Sequence, residues 1–178
     1  MIPASSGATT TGKAPSSTSQ APEAVVAGDI PDNQAFVAFI AAGYAIKVPE
    51  GWSRAVDGAA TVFSDKYNKI RVETATVATA PSVASVTNTD VIAIATAAKG
   101  YAAGKVTAVN RKAGQAILAT YQMDGTANAV TNKSVRLDVE RYEFWKNGTA
   151  VIITLSSAAG SDNVDPWKTV TDSFVWAA

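Results

Sequence analysis

The sequence predicts a sheet-rich α+β domain with a minority of helix, and three observations carry that reading. β-Branched residues dominate the apolar set, with Val 20 and Ile 10 against Leu 3. Such side chains keep their preferred rotamers on a pleated surface, whereas helical bundles lean on Leu. Several segments alternate apolar and polar residues as half-buried strands do. Alanine is the commonest residue at 35, which suits a few helices packed closely on a sheet.

The first 28 residues stand apart. Of them, 21 are Ala, Ser, Thr, Gly or Pro, and only Lys13 and Glu23 carry charge. This composition cannot bury enough apolar surface to offset its ordering entropy, so residues 1–28 are expected to form a flexible tether. The segment lacks the basic start and apolar stretch of a signal peptide. Two readings stay open for it: a disordered terminus, or the stalk of a bacterial lipoprotein whose lipid-bearing cysteine lies outside these residues. Residues 29–178 are expected to form one domain.

Within that domain, Phe36 to Ile40 is a short apolar run that fits a buried strand. Tyr44, Ile46 and Val48 then alternate strictly until Pro49-Glu50-Gly51-Trp52, where proline forces a turn. Ala60 to Ser64 and Lys69 to Val77 read as a hairpin, with Ile70, Val72 and Thr74 on one face and Lys69, Arg71 and Glu73 on the wet one. Residues 79–87 read as a loop. Thr87 to Asp90 resembles a capping box, and Val91, Ile94, Ala95, Ala98, Tyr101 and Ala102 recur at helical spacing up to a stop at Gly104. Lys105–Arg111 and Gln115–Met123 read as strands joined near Gly114, followed by a polar loop from Asp124 to Asn132.

Ser134 to Trp145 is the longest strand signal. Val135, Leu137 and Val139 share one face and Arg136, Asp138 and Glu140 the other, after which Tyr142 and Phe144 reverse the phase. A β-bulge near Glu140-Arg141 explains that slip, as does a strand covered on both faces at that end. Asn147-Gly148 predicts a type I′ hairpin turn, because both central positions need positive φ. Thr149 to Leu155 returns as a strand. Asp165-Pro166-Trp167 reads as an N-cap and the first turn of a last helix, with Trp167, Val170 and Phe174 on one face.

Composition narrows the chemistry. The chain has no Cys and no His, which excludes zinc fingers, thiol nucleophiles, Ser-His-Asp triads and haem histidines. The 15 bases balance the 15 acids, so there is no net charge to attract nucleic acid or an anionic membrane. No apolar run approaches the ~20 residues of a spanning helix. Carboxylates are the remaining acid–base candidates. Asp138 and Glu140 share a polar strand face with Arg136 and read better as a solvated charge ladder than as a catalytic pair. Asp65, weighed with Glu73, fits a turn cap. Asp162, Asn163 and Asp165 lack the spacing of a calcium loop and read as helix capping. Gly100 to Lys105 resembles a phosphate loop only superficially, since it follows a helix and has no Ser or Thr after the lysine. No cofactor or metal is expected.

Among the four tryptophans, Trp52 and Trp167 fit the core. Trp145, near the phase slip, is the candidate for an exposed binding residue, with Tyr142 and Lys146 as further binding candidates beside it in a cleft between sheet and helices.

Three stretches together resemble the PsbP-like, or Mog-type, domain family. Gly43-Tyr44-Ala45-Ile46-Lys47-Val48-Pro49-Glu50-Gly51-Trp52 is similar to the family's strand and Pro-x-x-Trp opening. Val62-Phe63-Ser64-Asp65 with Lys69 to Glu73 is similar to its next step. The Tyr142–Phe144 strand, the Asn147-Gly148 turn, Val151 to Leu155 and a helix running into Ser173-Phe174 are similar to its ending. The likeness covers roughly residues 36–178. It implies an antiparallel sheet sandwiched between helices and a docking or assembly role without catalysis. The expected function is therefore a non-enzymatic binding module of the bacterial cell envelope that docks an envelope or membrane protein. Small-molecule or glycan binding is the alternative, and a carboxylate-dependent hydrolase the remote one. The expected location is extracytoplasmic and lipid-anchored, or else secreted or periplasmic.

Overall fold

The structure is a computed structural model that describes residues 28–178, so the expected tether, apart from Gly28, lies outside the described residues. Along the chain run β1 (Phe36–Ala41), β2 (Tyr44–Pro49), β3 (Ser53–Asp57), β4 (Ala60–Asp65) and β5 (Asn68–Thr76). A helical stretch follows: α1 (Val83–Ser85), a π-helical turn over Val86–Asp90, and α2 (Val91–Ala97). Then come β6 (Ala102–Arg111), β7 (Gly114–Asp124), β8 (Arg136–Lys146), β9 (Thr149–Ala158), α3 (Val164–Ser173) and β10 (Val175–Trp176).

The main sheet has seven strands in the order β3-β4-β5-β9-β8-β7-β6, every pair antiparallel. A second sheet of order β1-β2-β10 is small. The pairing assigns faces, because residues directly opposite each other share one side of a sheet. On the inner face, Ile70, Leu155 and Glu140 form one row and Val72, Ile153 and Tyr142 the next. Against this face pack Tyr44, Ile46 and Val48 of β2 and Trp167, Val170 and Phe174 of α3. Aromatic rings close the seam: Phe174 stacks at 4.5 Å from Phe144 and meets Trp176 edge-on at 5.1 Å. On the outer face, Val86 and Val91 of the helical stretch rest on Ile117, Ala119 and Val106. The expected sandwich, a sheet with helices on both faces, is the fold.

Several expectations change in detail. Phe36 to Ile40 is no buried strand: β1 is the edge of the small sheet, and Ile40 is 79% exposed. Strand β3 carries no sequence alternation because all five of its residues are exposed. The helix begins earlier than expected, at a Ser82 cap whose side chain accepts from the Ser85 N–H while the Ser85 hydroxyl accepts from the Ser82 N–H. It also ends earlier, at Ala97, because Ala98 turns extended and Gly100 takes a φ of 64°. Tyr101 then leaves the helical face and packs 5.7 Å from Tyr121.

The phase slip in β8 has no bulge behind it. Pairing with β7 and β9 is regular from Arg136 to Lys146, apart from the β7 end. The strand is simply covered twice, with Val139 buried on the outer face and Tyr142 and Phe144 on the inner. The Asn147-Gly148 turn forms as expected, with φ of 49° and 84°. Helix α3 starts two residues earlier than expected, at Val164 after Asn163, whose side chain does not cap it.

Burial pushes the phenols of Tyr44, Tyr121 and Tyr142 above the ordinary value of 10.0. A raised folded-state value means that the unfolded chain gives up these protons first as pH rises, so stability is whole below about pH 10 and falls above it. With no histidine in the chain, denaturation midpoints should stay nearly level between the carboxylate and tyrosine ranges and then drop. A steep loss near neutral pH would contradict this.

Candidate functional site

The inner face is not covered to its end. Beyond the start of α3 the sheet is left with a cleft of about 420 Å³, floored by Thr120, Gln122, Asp138, Glu140 and Ser157 and walled by Trp167. Its far rim is the β6 edge at Ala102, Ala103 and Gly104. There the β6–β7 register shifts between Ala103 and Val106. The shift depends on glycine: a Cβ on Gly104 would sit 2.1 Å from the carbonyl oxygen of Thr120. It also brings the Lys105 N–H to the Thr120 hydroxyl at 3.0 Å.

The two carboxylates of the floor differ. Asp138 is engaged at both oxygens: Oδ1 accepts from the Gln122 amide at 2.7 Å and Oδ2 from the Gly160 N–H at 3.1 Å. It therefore ties the turn after β9 to the sheet. Glu140 accepts a hydrogen bond at Oε2 only, from the Tyr142 hydroxyl at 2.7 Å. Arg111 donates to that same hydroxyl at 3.0 Å and lies over the Tyr142 ring. Burial first, then the bond to Glu140, holds the Tyr142 phenol well above its ordinary range, so it is a fixed donor that orients Glu140.

Three acceptors are left facing the cleft. Besides Glu140 Oε1 there is the carbonyl oxygen of Gln122, whose amide nitrogen is already used on Asp138. The third is the hydroxyl of Ser157, a residue only 4% exposed whose side chain makes no hydrogen bond among the described residues. No Lys or Arg lines the cleft. Its wall is firm. Asn163, which precedes α3, accepts from the Ile30 N–H at 2.8 Å and donates to Gly28 and Asn68, so it is a buried tie where a helix cap was expected, while Asp162 and Asp165 stay exposed. Trp167 stands edge-on to Trp52 at 6.4 Å.

On the outer face lies a second cleft, of about 390 Å³, beside a ladder of charges. Arg71 pairs with Glu73 at 3.1 Å and Asp57 at 3.7 Å. Arg141 pairs with Glu143 and reaches Asp90 of the π-helical turn at 3.4 Å. Burial lowers the Arg141 pKa, and the Asp90 carboxylate opposes that shift. Among the described residues no three acidic, Cys or His side chains converge to hold a metal ion.

The sequence matches no protein-family model and no curated protein. Among solved structures it resembles cyanobacterial PsbP (CyanoP) from Synechocystis sp. PCC 6803, at 16% identity and a TM-score of 0.55. That likeness covers 90% of this chain and 99% of the other.

The fold is PsbP-like.

A protein from Bacteroides thetaiotaomicron VPI-5482 shares the architecture at 11% identity and a TM-score of 0.53 over 79% of this chain. The chain spans about half of that protein's length, 48%. In this PsbP-like domain Pro49 and Trp52 end β2 and support α3, as scaffold positions. No helix among the described residues is long and apolar enough to cross a membrane.

The binding residues predicted from sequence are not brought together. Residues three apart on a strand point to opposite faces. Tyr142 is 2% exposed on the inner face. Trp145 is on the outer side, where its Nε1–H donates to the Val77 carbonyl at 2.7 Å and its ring lines a hollow of about 270 Å³ with Pro81 and Trp176. Lys146 is exposed at the hairpin end. Tyr142 alone touches the candidate site, through Glu140. Asp65 and Glu73 fall on opposite faces of the sheet and cannot act as a pair. Asp138 and Glu140, read as a solvated ladder, instead floor a cleft. Their shared face was legible in the alternation, but the overhang of α3 was not.

Proposed function

We propose that this chain is a non-enzymatic binding module of the cell envelope that takes a small polar molecule into the cleft between Glu140, Ser157 and Trp167. The observation that carries the reading is a cleft of about 420 Å³ with the acceptor side chains of Glu140, Gln122 and Ser157 on its floor. That size lies within the roughly 300–1,000 Å³ of ordinary ligand sites. Asp138 is tied at both oxygens and leaves Glu140 without a second free carboxylate, which speaks against hydrolysis by an acid pair. The Ser/Thr/Ala/Pro composition of the first 28 residues supports the envelope location. So does the likeness to PsbP-like domains, at the level of fold analogy.

Ala102→Trp tests the site, because Ala102 is an exposed edge residue and a large ring there fills the cleft without disturbing the core. A panel of sugars, amines and amino acids should contain compounds that raise the melting temperature of the native chain, by linkage, and leave the variant unmoved. If no compound distinguishes the two proteins, the cleft is not the site.

A second reading, docking to an envelope or membrane protein, is favoured by one feature. Ile40, Ala45 and Val175 stand side by side on the outer surface of the small sheet, where Ile40 and Val175 are exposed. Crosslinking in intact cells would recover a single partner with the native chain and lose it with Ile40→Glu.

A further inference from the structure

The electrostatics of the inner cleft say more than that it binds something polar. We infer that its ligand is a small organic cation, an ammonium or guanidinium group, received by Glu140; this deepens the reading above and rests on it. The distribution of charge leads there. The lining holds two carboxylates and no basic side chain. Arg111 does not line the cleft: its guanidinium donates to the Tyr142 hydroxyl and to Thr171, and it lies 3.9 Å from Asp172. Asp172 in turn pairs with Lys168, so that outlying group leaves the cleft's own charge negative.

The hydrogen-bonding inventory points the same way. Glu140 Oε1, the Gln122 carbonyl oxygen and the Ser157 hydroxyl can all accept, and the amide nitrogen of Gln122 is spent on Asp138. A cleft that offers acceptors and few donors suits a ligand that is mostly donor. An ammonium group, with three N–H bonds and no acceptor, is the simplest such ligand. The Ser157 hydroxyl, on a floor strand and without a hydrogen-bond partner among the described residues, is a polar atom such a ligand would satisfy. The edge of Trp167 closes the side of the cleft, where the carbon skeleton of the ligand can rest.

Matched probes separate charge from shape. Glucosamine and glucose differ by an ammonium in place of a hydroxyl, and putrescine and butanediol by two. Calorimetric titration of the chain with each, at low and high salt, should show binding of the charged member only, weakened as salt rises. Glu140→Gln should cost roughly tenfold or more in affinity, as the loss of a charge-assisted bond does. The amide oxygen of that variant can still accept from Tyr142, so folding should be kept, and its melting temperature without probe verifies this. Ser157→Ala should weaken binding by a smaller factor. Equal binding of a neutral probe, lost in Ala102→Trp but kept in Glu140→Gln, would overturn the cation and leave the cleft as a site. Charged-probe binding that survives Ala102→Trp, or no binding by any probe at millimolar concentration, would overturn both.

Discussion

Replacing Arg141 with Met is expected to destabilise the domain by about 3–5 kcal/mol at neutral pH, the cost of stripping one partner from a buried ion pair. The reason lies in Glu143. It is 6% exposed on the outer face of β8, an interior strand of the main sheet, and Arg141 is its ion-pair partner. Without the guanidinium a carboxylate is left desolvated and unpaired, and Asp90 loses its tie to the sheet as well. Lowering the pH into the ordinary carboxylate range protonates the stranded acid, so the deficit should narrow as pH falls.

The double variant Arg141→Met/Glu143→Leu should recover most of the loss, since an apolar pair of similar volume carries no desolvation cost. Chemical denaturation of the native chain, the two single variants and the double variant measures this as a coupling energy. If the double variant is as unstable as Arg141→Met alone, the damage comes from lost packing of the arginine stem. The ion pair would then contribute little.

That pair also shows how far local pattern reaches. Alternation along Val135 to Glu140 correctly sorted side chains between two faces, because a strand's period of two is a local property. What covers each face is settled by distant segments. Helix α3 overhangs Asp138 and Glu140, and the π-helical turn carrying Asp90 overhangs Arg141. Nothing within β8 announces either, so a charge ladder and a ligand cleft read alike.

Local turn chemistry was the most legible signal. Asn147-Gly148 joins β8 to β9 with the backbone its sequence demands. The β3–β4 turn is less legible: its two residues are Gly58 and Ala59, only the glycine takes a positive φ, and the strand before it has no alternation. Gly104 misled for a physical reason: glycine serves both as a helix stop and where backbone must approach backbone, and here the Thr120 carbonyl occupies the space of a side chain. The helix start was hidden because the Ser85 hydroxyl plays the part usually given to Glu or Gln in a capping box.

Trp167→Ala should cost a further large amount, about 3–5 kcal/mol, as truncations of buried tryptophan do. The ring is 5% exposed, meets Trp52 edge-on and belongs to the same cluster as Val170 and Phe174, so its loss leaves a void where α3 is pinned to the sheet. The same ring walls the inner cleft. Stability and ligand binding should therefore fall together in this variant, whereas Glu140→Gln should lower binding alone. Denaturant midpoints measured with and without a saturating probe separate the two effects. Because ligand binding adds to the stability of the folded state by mass action, the native chain should gain from the probe and Trp167→Ala should gain less. An equal gain in both would place the ligand away from the tryptophan wall. A loss of less than about 1 kcal/mol would mean that α3 is held by Val170 and Phe174, and that the wall of the cleft can yield without unfolding the domain.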